Sequence, residues 1–302
     1  MACLNCEVKP VIKLTAGPKL CKNCFIKYFE KKVIKTISKY KLLDKEDNIA
    51  VAVSSGKDSF ALLYILNKIA EKNRNLDLKA IAIDEGIEGY RDLTLLEKYC
   101  KENNIELHVT SFKKEFGLSL DEAIKKLDVK PCSICGVFRR YLLNKKAREL
   151  NVKKLATGHN LDDEAQSIMM NNIKGNLERS SRLGPITGTV KDKRFIPRIK
   201  PLFFMTEKET ATYAHLRGFP IKFSECPNAY GLRRDIMDML NDLENKHPGT
   251  KQAVINSFLD ILPILKEKYS DREIKICINC GEPSASETCK SCQILNKLKA
   301  IN

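Results

Sequence analysis

Short apolar runs and longer amphipathic runs alternate through the middle of the chain. NIAVAVSS (48–55), LKAIAIDEG (78–86), IELHVTSF (105–112), VKKLATGHN (152–160) and FPIKFSEC (219–226) read as buried strands. Between them, KDSFALLYILNKIAEKN (57–73), DLTLLEKYCKENN (92–104), VFRRYLLNKKAREL (137–150) and LDDEAQSIMMNNIKGN (161–176) read as helices. A further helix opens at a capping box, Thr206 with Glu209 three residues on. Strand–helix alternation predicts an α/β fold with a doubly wound parallel sheet, and the chain after Gly231 reads as helical.

The two ends break this pattern. Cys3, Cys6, Cys21 and Cys24 form one pair of CxxC steps, and Cys277, Cys280, Cys289 and Cys292 form another with a shorter central loop. Each set supplies four thiolates for tetrahedral coordination, which predicts two structural Zn²⁺ sites. The chain thus divides into an N-terminal zinc ribbon (1–30) with a basic helix to about 45, a central α/β domain (46–270), and a C-terminal zinc ribbon (271–302).

Composition narrows the setting. Hydrophobic residues make up 43% of the 302, so the chain has a sizeable core. No run of eighteen apolar residues occurs, so no membrane span is expected, and MACLNCEVKP lacks the apolar stretch of a secretion signal. The expected compartment is the cytoplasm, where thiols stay reduced and paired cysteines bind metal. Net charge is +15, and lysines crowd KLCKNCFIKYFEKKVIKTISKYK (19–41), which points to a polyanionic partner such as a nucleic acid. Lys22, Lys27 and Lys31 in that segment, with Arg139 and Arg140 further on, are the candidate phosphate contacts.

VAVSSGKDSF carries the sharpest phosphate signal. A strand ends, Ser54, Ser55 and Gly56 turn, and a helix opens at Lys57 or Asp58, so backbone N–H groups and the helix dipole face whatever sits above the strand. Ser54, Ser55 and Ser59 add hydroxyls and Lys57 a charge, but the spacing is not the Walker G-x-x-x-x-G-K-S/T. Asp84 closes a neighbouring strand on the same edge, placed to meet an adenosine or a magnesium ion. The acids Asp162, Asp163 and Glu164 begin a helix, where they either complement its dipole or, in the case of Asp163, hold Mg²⁺ or orient a base; His159 is read as a hydrogen-bonding group rather than a base.

SSGKDS resembles the SGGKDS pyrophosphate loop of the PP-loop ATP pyrophosphatases, with Ser55 where many members have glycine. TGHNLDDEAQS (157–167), which contains Gly158 and Asp163, resembles the GHNxDDxAQT segment of the branch that puts sulfur on tRNA. The resemblance implies an adenine nucleotide α-hydrolase-like fold, binding of ATP and Mg²⁺ over residues 54–59, and adenylation of a substrate oxygen. Relatives with zinc ribbons at both ends match this layout over almost the whole chain.

Four cysteines remain. Cys100 lies mid-helix and reads as a small buried hydrophobe. Cys132 and Cys135 precede a helix and Cys226 follows a strand, so the sheet reading brings these three to one edge. Three thiolates suit a 4Fe–4S cluster with one iron free. Persulfide chemistry at Cys132 or Cys226, a third zinc site and plain buried thiols are the other readings of the same residues. In the thiolating relatives the corresponding PCxxC and later cysteine carry the cluster, and the resemblance extends that role to all three positions. It implies a tRNA 2-thiouridine synthetase: uridine O2 is adenylated by ATP, then sulfur displaces AMP. The all-cysteine N-terminal quartet leans to the anticodon wobble uridine, with the T-loop uridine as the alternative. The resemblance further implies a sulfur donor, either a ubiquitin-like thiocarboxylate carrier or sulfide, and a homodimer. A non-catalytic zinc-ribbon RNA binder would have no need of SSGKDS, and a PP-loop enzyme using nitrogen would have no need of the three cysteines.

Overall fold

A two-residue hairpin, β1 (Ile12–Lys13) with β2 (Lys19–Leu20), leads into α1 (Lys22–Lys39) in the computed structural model, which describes residues 2–90, 92–127, 129–188, 194–221, 226–228, 230–270 and 274–300. Phe25, Phe29, Val33, Thr36 and Ile37 recur at helical spacing on α1 and are buried. Lys27 and Lys31 project from its other face, and Lys22 is exposed at its start.

The central element is β3 (Asp47–Val53), whose side chains alternate between two cores. Ile49, Val51 and Val53 enter one core and Ala50 the other, which is what a strand covered on both faces requires. There follow α2 (Lys57–Ala70), β4 (Leu76–Asp84), α3 (Thr94–Glu102), β5 (Glu106–Ser111), α4 (Phe112–Phe116), α5 (Leu120–Lys126), α6 (Pro131–Glu149), β6 (Lys154–Thr157), α7 (Leu161–Ile173), α8 (Leu177–Ser181), β7 (Arg198–Ile199) and α9 (Glu207–Arg217). The sheet order is β5-β4-β3-β6-β7 with every pairing parallel, as the alternation predicts. The core holding α1 and α2 lies on one face, and the core holding α5 and α6 on the other. A third apolar cluster joins α7 to α10 (Leu232–Lys246) and α11 (Thr250–Lys268). The chain closes with β8 (Lys275–Ile276), β9 (Pro283–Ser284) and α12 (Lys290–Lys299).

The chain leaves β3 for β4 on one side and places β6 on the other. The crevice between the carboxyl ends of β3 and β6 is therefore the topological switch point, where open α/β sheets bind ligands. The fifth strand departs from the sequence reading. Residues 219–221 form no strand, 222–225 lie outside the described residues, and the fifth place in the sheet belongs to β7, paired Leu155↔Arg198 and Ala156↔Ile199. Phe219 packs among Phe60, Tyr64, Tyr99 and Tyr213. Among the described residues, no helix is long and apolar enough to cross a membrane.

Candidate active site at the carboxyl edge of the sheet

Ser54, Ser55 and Gly56 make the turn from β3 into α2. No side chain caps this helix, so the N–H groups of its first turn face the switch point without a side-chain partner. The Ser59 hydroxyl shapes the turn: it donates to the Gly56 carbonyl at 2.9 Å and accepts from the Ser54 N–H at 3.2 Å. Ser55 adopts φ +56°, the left-handed region, and its buried Oγ has no hydrogen-bond partner. That conformation explains why glycine suits this position in the resembling loops. An orphaned hydroxyl beside uncapped N–H groups fits a phosphate oxygen.

Lys57 Nζ lies 3.1 Å from Asp58 Oδ2 and 3.0 Å from Glu207 Oε1. The two carboxylates hold the ammonium charged, while at Asp58 burial outweighs the same ion pair and raises the carboxyl above its usual range. The second loop, after β6, closes tightly on the first. A Cβ on Gly158 would sit 3.1 Å from the Asp58 carbonyl carbon and the Ser59 nitrogen, so only glycine permits the approach. Asn160 ties the loops together, donating from Nδ2 to Asp58 Oδ1 at 3.1 Å.

The three acids of α7 have separate fates. Asp162 is buried against Lys251 and accepts from the Glu207 N–H, and Glu164 is buried against Lys200 at 2.7 Å. Asp163 completes a capping box with Asn160 but faces the crevice, half-buried. Burial raises its carboxyl to about 6; Asp58 and Glu164 push the same way and Arg233 opposes them. His159 reaches solvent at the crevice mouth, yet protein surrounds it there. Desolvation, with Lys200, Arg233, Arg139 and Arg198 nearby, holds it down to about 3, so the ring is neutral and bonds Thr157 Oγ1 at 2.9 Å. Asp84 ends β4, half-buried, and accepts the Gly86 N–H at 2.8 Å.

The cysteine edge needs one correction. Cys132 and Cys135 do not precede their helix; they lie within its opening turns, behind Pro131 at the first position. Cys132 is exposed and its thiol donates to the Asn228 carbonyl at 3.3 Å, which joins the start of α6 to the segment carrying Cys226. Cys135 and Cys226 are half-buried. Their three sulfurs do not gather within 4.8 Å of one another, whereas each terminal quartet does. A single ion therefore fits each quartet; Cys132, Cys135 and Cys226 form no such group among the described residues. Cys100 is buried, and its surroundings push the thiol up to about 11, which leaves it inert.

Both quartets have the chemistry of a zinc knuckle. In the first, Cys6 Sγ lies 3.5 Å from Cys21 and 3.8 Å from Cys24. In the second, Cys277 Sγ accepts the Cys289 N–H at 3.2 Å, and Cys289 Sγ accepts the Cys292 N–H at 3.4 Å. Sequence reasoning missed Arg198, Arg233, Lys200 and Asn160. Asn160 could have been found as the residue preceding an acidic helix start; the three cations carry no local motif.

A parallel sheet with an uncapped helix start and a glycine loop closing on it at the switch point defines a nucleotide-binding α/β protein. The PP-loop domain family matches residues 27–227. The chain belongs to that family, in the group that holds the tRNA 2-thiolation proteins. It is 37% identical to the tRNA-5-methyluridine(54) 2-sulfurtransferase of Pyrococcus horikoshii, covering 100% of this chain and 96% of that protein. It is 32% identical to the tRNA 2-thiolation protein NcsA of Haloferax volcanii, over 100% of both. Its fold superposes on the U34-tRNA thiolase NcsA of Methanococcus maripaludis, solved with its [4Fe-4S] cluster, with a TM-score of 0.84 at 35% identity, covering 99% and 96% of the two chains.

Proposed function

We propose that the protein is an ATP-dependent tRNA sulfurtransferase that makes 2-thiouridine, acting on the wobble uridine. The observation that carries this reading is the meeting, on one edge, of a phosphate-binding helix start at Lys57 and a cysteine-bearing helix start at Pro131, the latter tied to the Cys226 segment through Asn228. The uridine O2 attacks the α-phosphate of ATP, the α–β P–O bond breaks, and pyrophosphate leaves. The α2 N–H groups, Lys57 and the loop hydroxyls hold the departing phosphates. Asp58, Asp84 and Asp163 are the carboxylates placed to bind Mg²⁺, and neutral His159 supplies a hydrogen bond without competing for the proton. A sulfur nucleophile then forms a bond to C2 of the base, and AMP leaves with the oxygen. A 4Fe–4S cluster on Cys132, Cys135 and Cys226 would hold that sulfur on its free iron. Lys22, Lys27 and Lys31 meet tRNA phosphates, and sulfur comes from a thiocarboxylate carrier or sulfide.

The test is nucleoside analysis of mapped tRNAs from cells lacking the protein, with iron, sulfide and zinc measured on anaerobically purified material. Loss of 2-thiouridine at position 34 is the expected result, and loss at position 54 assigns the T-loop instead. Cys132→Ser, Cys135→Ser and Cys226→Ser are expected to abolish thiolation while ATP still binds. Full activity in iron-free protein overturns the cluster and leaves persulfide chemistry at the exposed Cys132.

A further inference from the structure

Arg139 and Arg140 follow Cys135 by about one turn of α6, and Arg198 on β7 reaches the same stretch of helix. Arg198, on the edge strand β7, is half-buried and donates from Nη2 to the Arg140 backbone carbonyl at 3.3 Å. The Arg140 guanidinium folds back over Gly136 toward the start of α6: a Cβ at Gly136 would lie 3.2 Å from its Nη1. Cys135 is among the charges acting on it. Desolvation and the neighbouring guanidiniums lower both residues, Arg198 to about 10. Like charges repel, and two of the three have no compensating carboxylate: only Arg139 meets one, Glu85 Oε1 at 3.4 Å, among the described residues. Crowding of this kind persists where an anion completes it, and the planar fork of arginine matches a phosphate in two bonds.

We propose that Arg140 and Arg198, with Arg139, form a subsite for a backbone phosphate of the tRNA next to the reacting nucleotide. The subsite lies on the β7 side of the switch point, about one turn along α6 from Cys135, whereas the uncapped helix start at Lys57 serves the phosphates of ATP. An RNA chain running from the basic face of α1 carries its charge into the crevice, and the subsite holds the phosphodiester while the base enters. Gly136 is a positioning residue: a side chain there would push the Arg140 guanidinium away from the edge. The inference rests on tRNA being the substrate.

The test is equilibrium binding of unmodified tRNA and, separately, of ATP, across a salt series, using the full chain. Arg140→Ala and Arg198→Ala are each expected to weaken tRNA binding about tenfold near 0.1 M salt and to lower the slope of log K against log salt by about 0.7 to 1. Arg140→Lys and Arg198→Lys guard against misfolding: they keep the slope and lose part of the affinity. Gly136→Ala is expected to reproduce part of the Arg140→Ala loss. Lys101→Ala, on α3 beside the opposite edge strand, is the charge control and is expected to leave the affinity within twofold. Unchanged tRNA binding in the arginine variants overturns the subsite, as does a loss confined to ATP. Wild-type protein that forms 2-thiouridine alongside unaffected variants removes the subsite alone. Wild-type protein that does not bind tRNA removes the subsite and the substrate reading together.

Discussion

The two cysteine quartets have the same ligands and opposite attachments. Cys3 and Cys21 are continuous with the main core: Ile12, Leu14, Leu20, Phe25 and Phe29 run from the knuckle into α1 without a break. α1 is then locked to α9, where Phe29 stacks on Tyr213 at 4.1 Å and Tyr28 and Lys32 bond Glu209 at 2.8 and 3.2 Å. The C-terminal quartet forms a small cluster of its own, touching Tyr141. It hangs on α6 by a few contacts: Glu282 pairs with Arg148 and accepts from Asn144 at 3.4 Å, and Leu298 of α12 enters the core of that face. An identical ligand set therefore does different mechanical work. The first knuckle anchors the core, while the second braces the one helix whose opening turns carry Cys132 and Cys135 and whose middle carries Arg139 and Arg140.

Metal loss should separate the two ends most widely. Cys21→Ala removes a ligand at the base of α1 and is expected to cost the whole molecule about 3 kcal/mol, a fall of about 6–12 °C in the main unfolding transition. Cys289→Ser is expected to leave that transition within about 2 °C and to free only α12 and the C-terminal loop, seen as fast amide exchange. Equal falls by calorimetry would break the contrast. A smaller effect sharpens it. Glu282→Gln keeps all four ligands but leaves Arg148 without its buried partner. The expected cost is about 1–3 kcal/mol of local stability, read as faster zinc release from the C-terminal site alone.

This asymmetry shows what the sequence could and could not yield. Strand–helix alternation gave the parallel sheet because β3, β4 and β6 are buried on both faces and their composition records it. CxxC spacing gave both quartets because four ligands a few residues apart are a local signal. Attachment is not local. Nothing in RRYLLNKK (139–146) says that Tyr141 will meet Cys280, and nothing in RIKPLFF (198–204) says that Arg198 will reach Arg140. At 219–221, where no strand forms, Phe219 packs on aromatic side chains, a use that favours the same residues as strand pairing. The edge loops were legible as motifs, but their closeness at Gly158 is a property of the fold.

Changes at the edge loops should spare both ends. Asp163 is the cleaner case. Its carboxyl is raised from 3.8 to about 6 in the folded chain. It therefore contributes stability that is full below about 3.8 and lost as pH rises through about 6. Above that pH the group is an ionised carboxylate facing the crevice, with Arg233 opposite and Asp58 and Glu164 adding repulsion. If the ionised form serves the reaction, thiolation falls away on the acid side with a midpoint near pH 6, and Asp163→Asn is slower by about 10² or more with that limb gone. Zinc content should be that of the wild type in both quartets. A persistent acid limb in Asp163→Asn would move the titration to another group.

The smallest effect belongs to Ser55→Gly. The left-handed backbone at φ +56° costs a residue with a Cβ about 1–2 kcal/mol. Glycine removes that strain but returns about 0.5–1 kcal/mol through the greater freedom of the unfolded chain. The net expectation is a stabilisation between about 0 and 1.5 kcal/mol, a shift of no more than about 6 °C. ATP affinity should stay within a few-fold, because the Ser55 N–H remains and only an unpartnered hydroxyl is lost. Isothermal titration with ATP and a thermal scan give both numbers on one sample. A large gain in affinity would mean that the serine holds the turn away from its binding geometry, and a large loss would make the orphaned hydroxyl a direct phosphate ligand. Either result would leave the metal content of the two ends untouched.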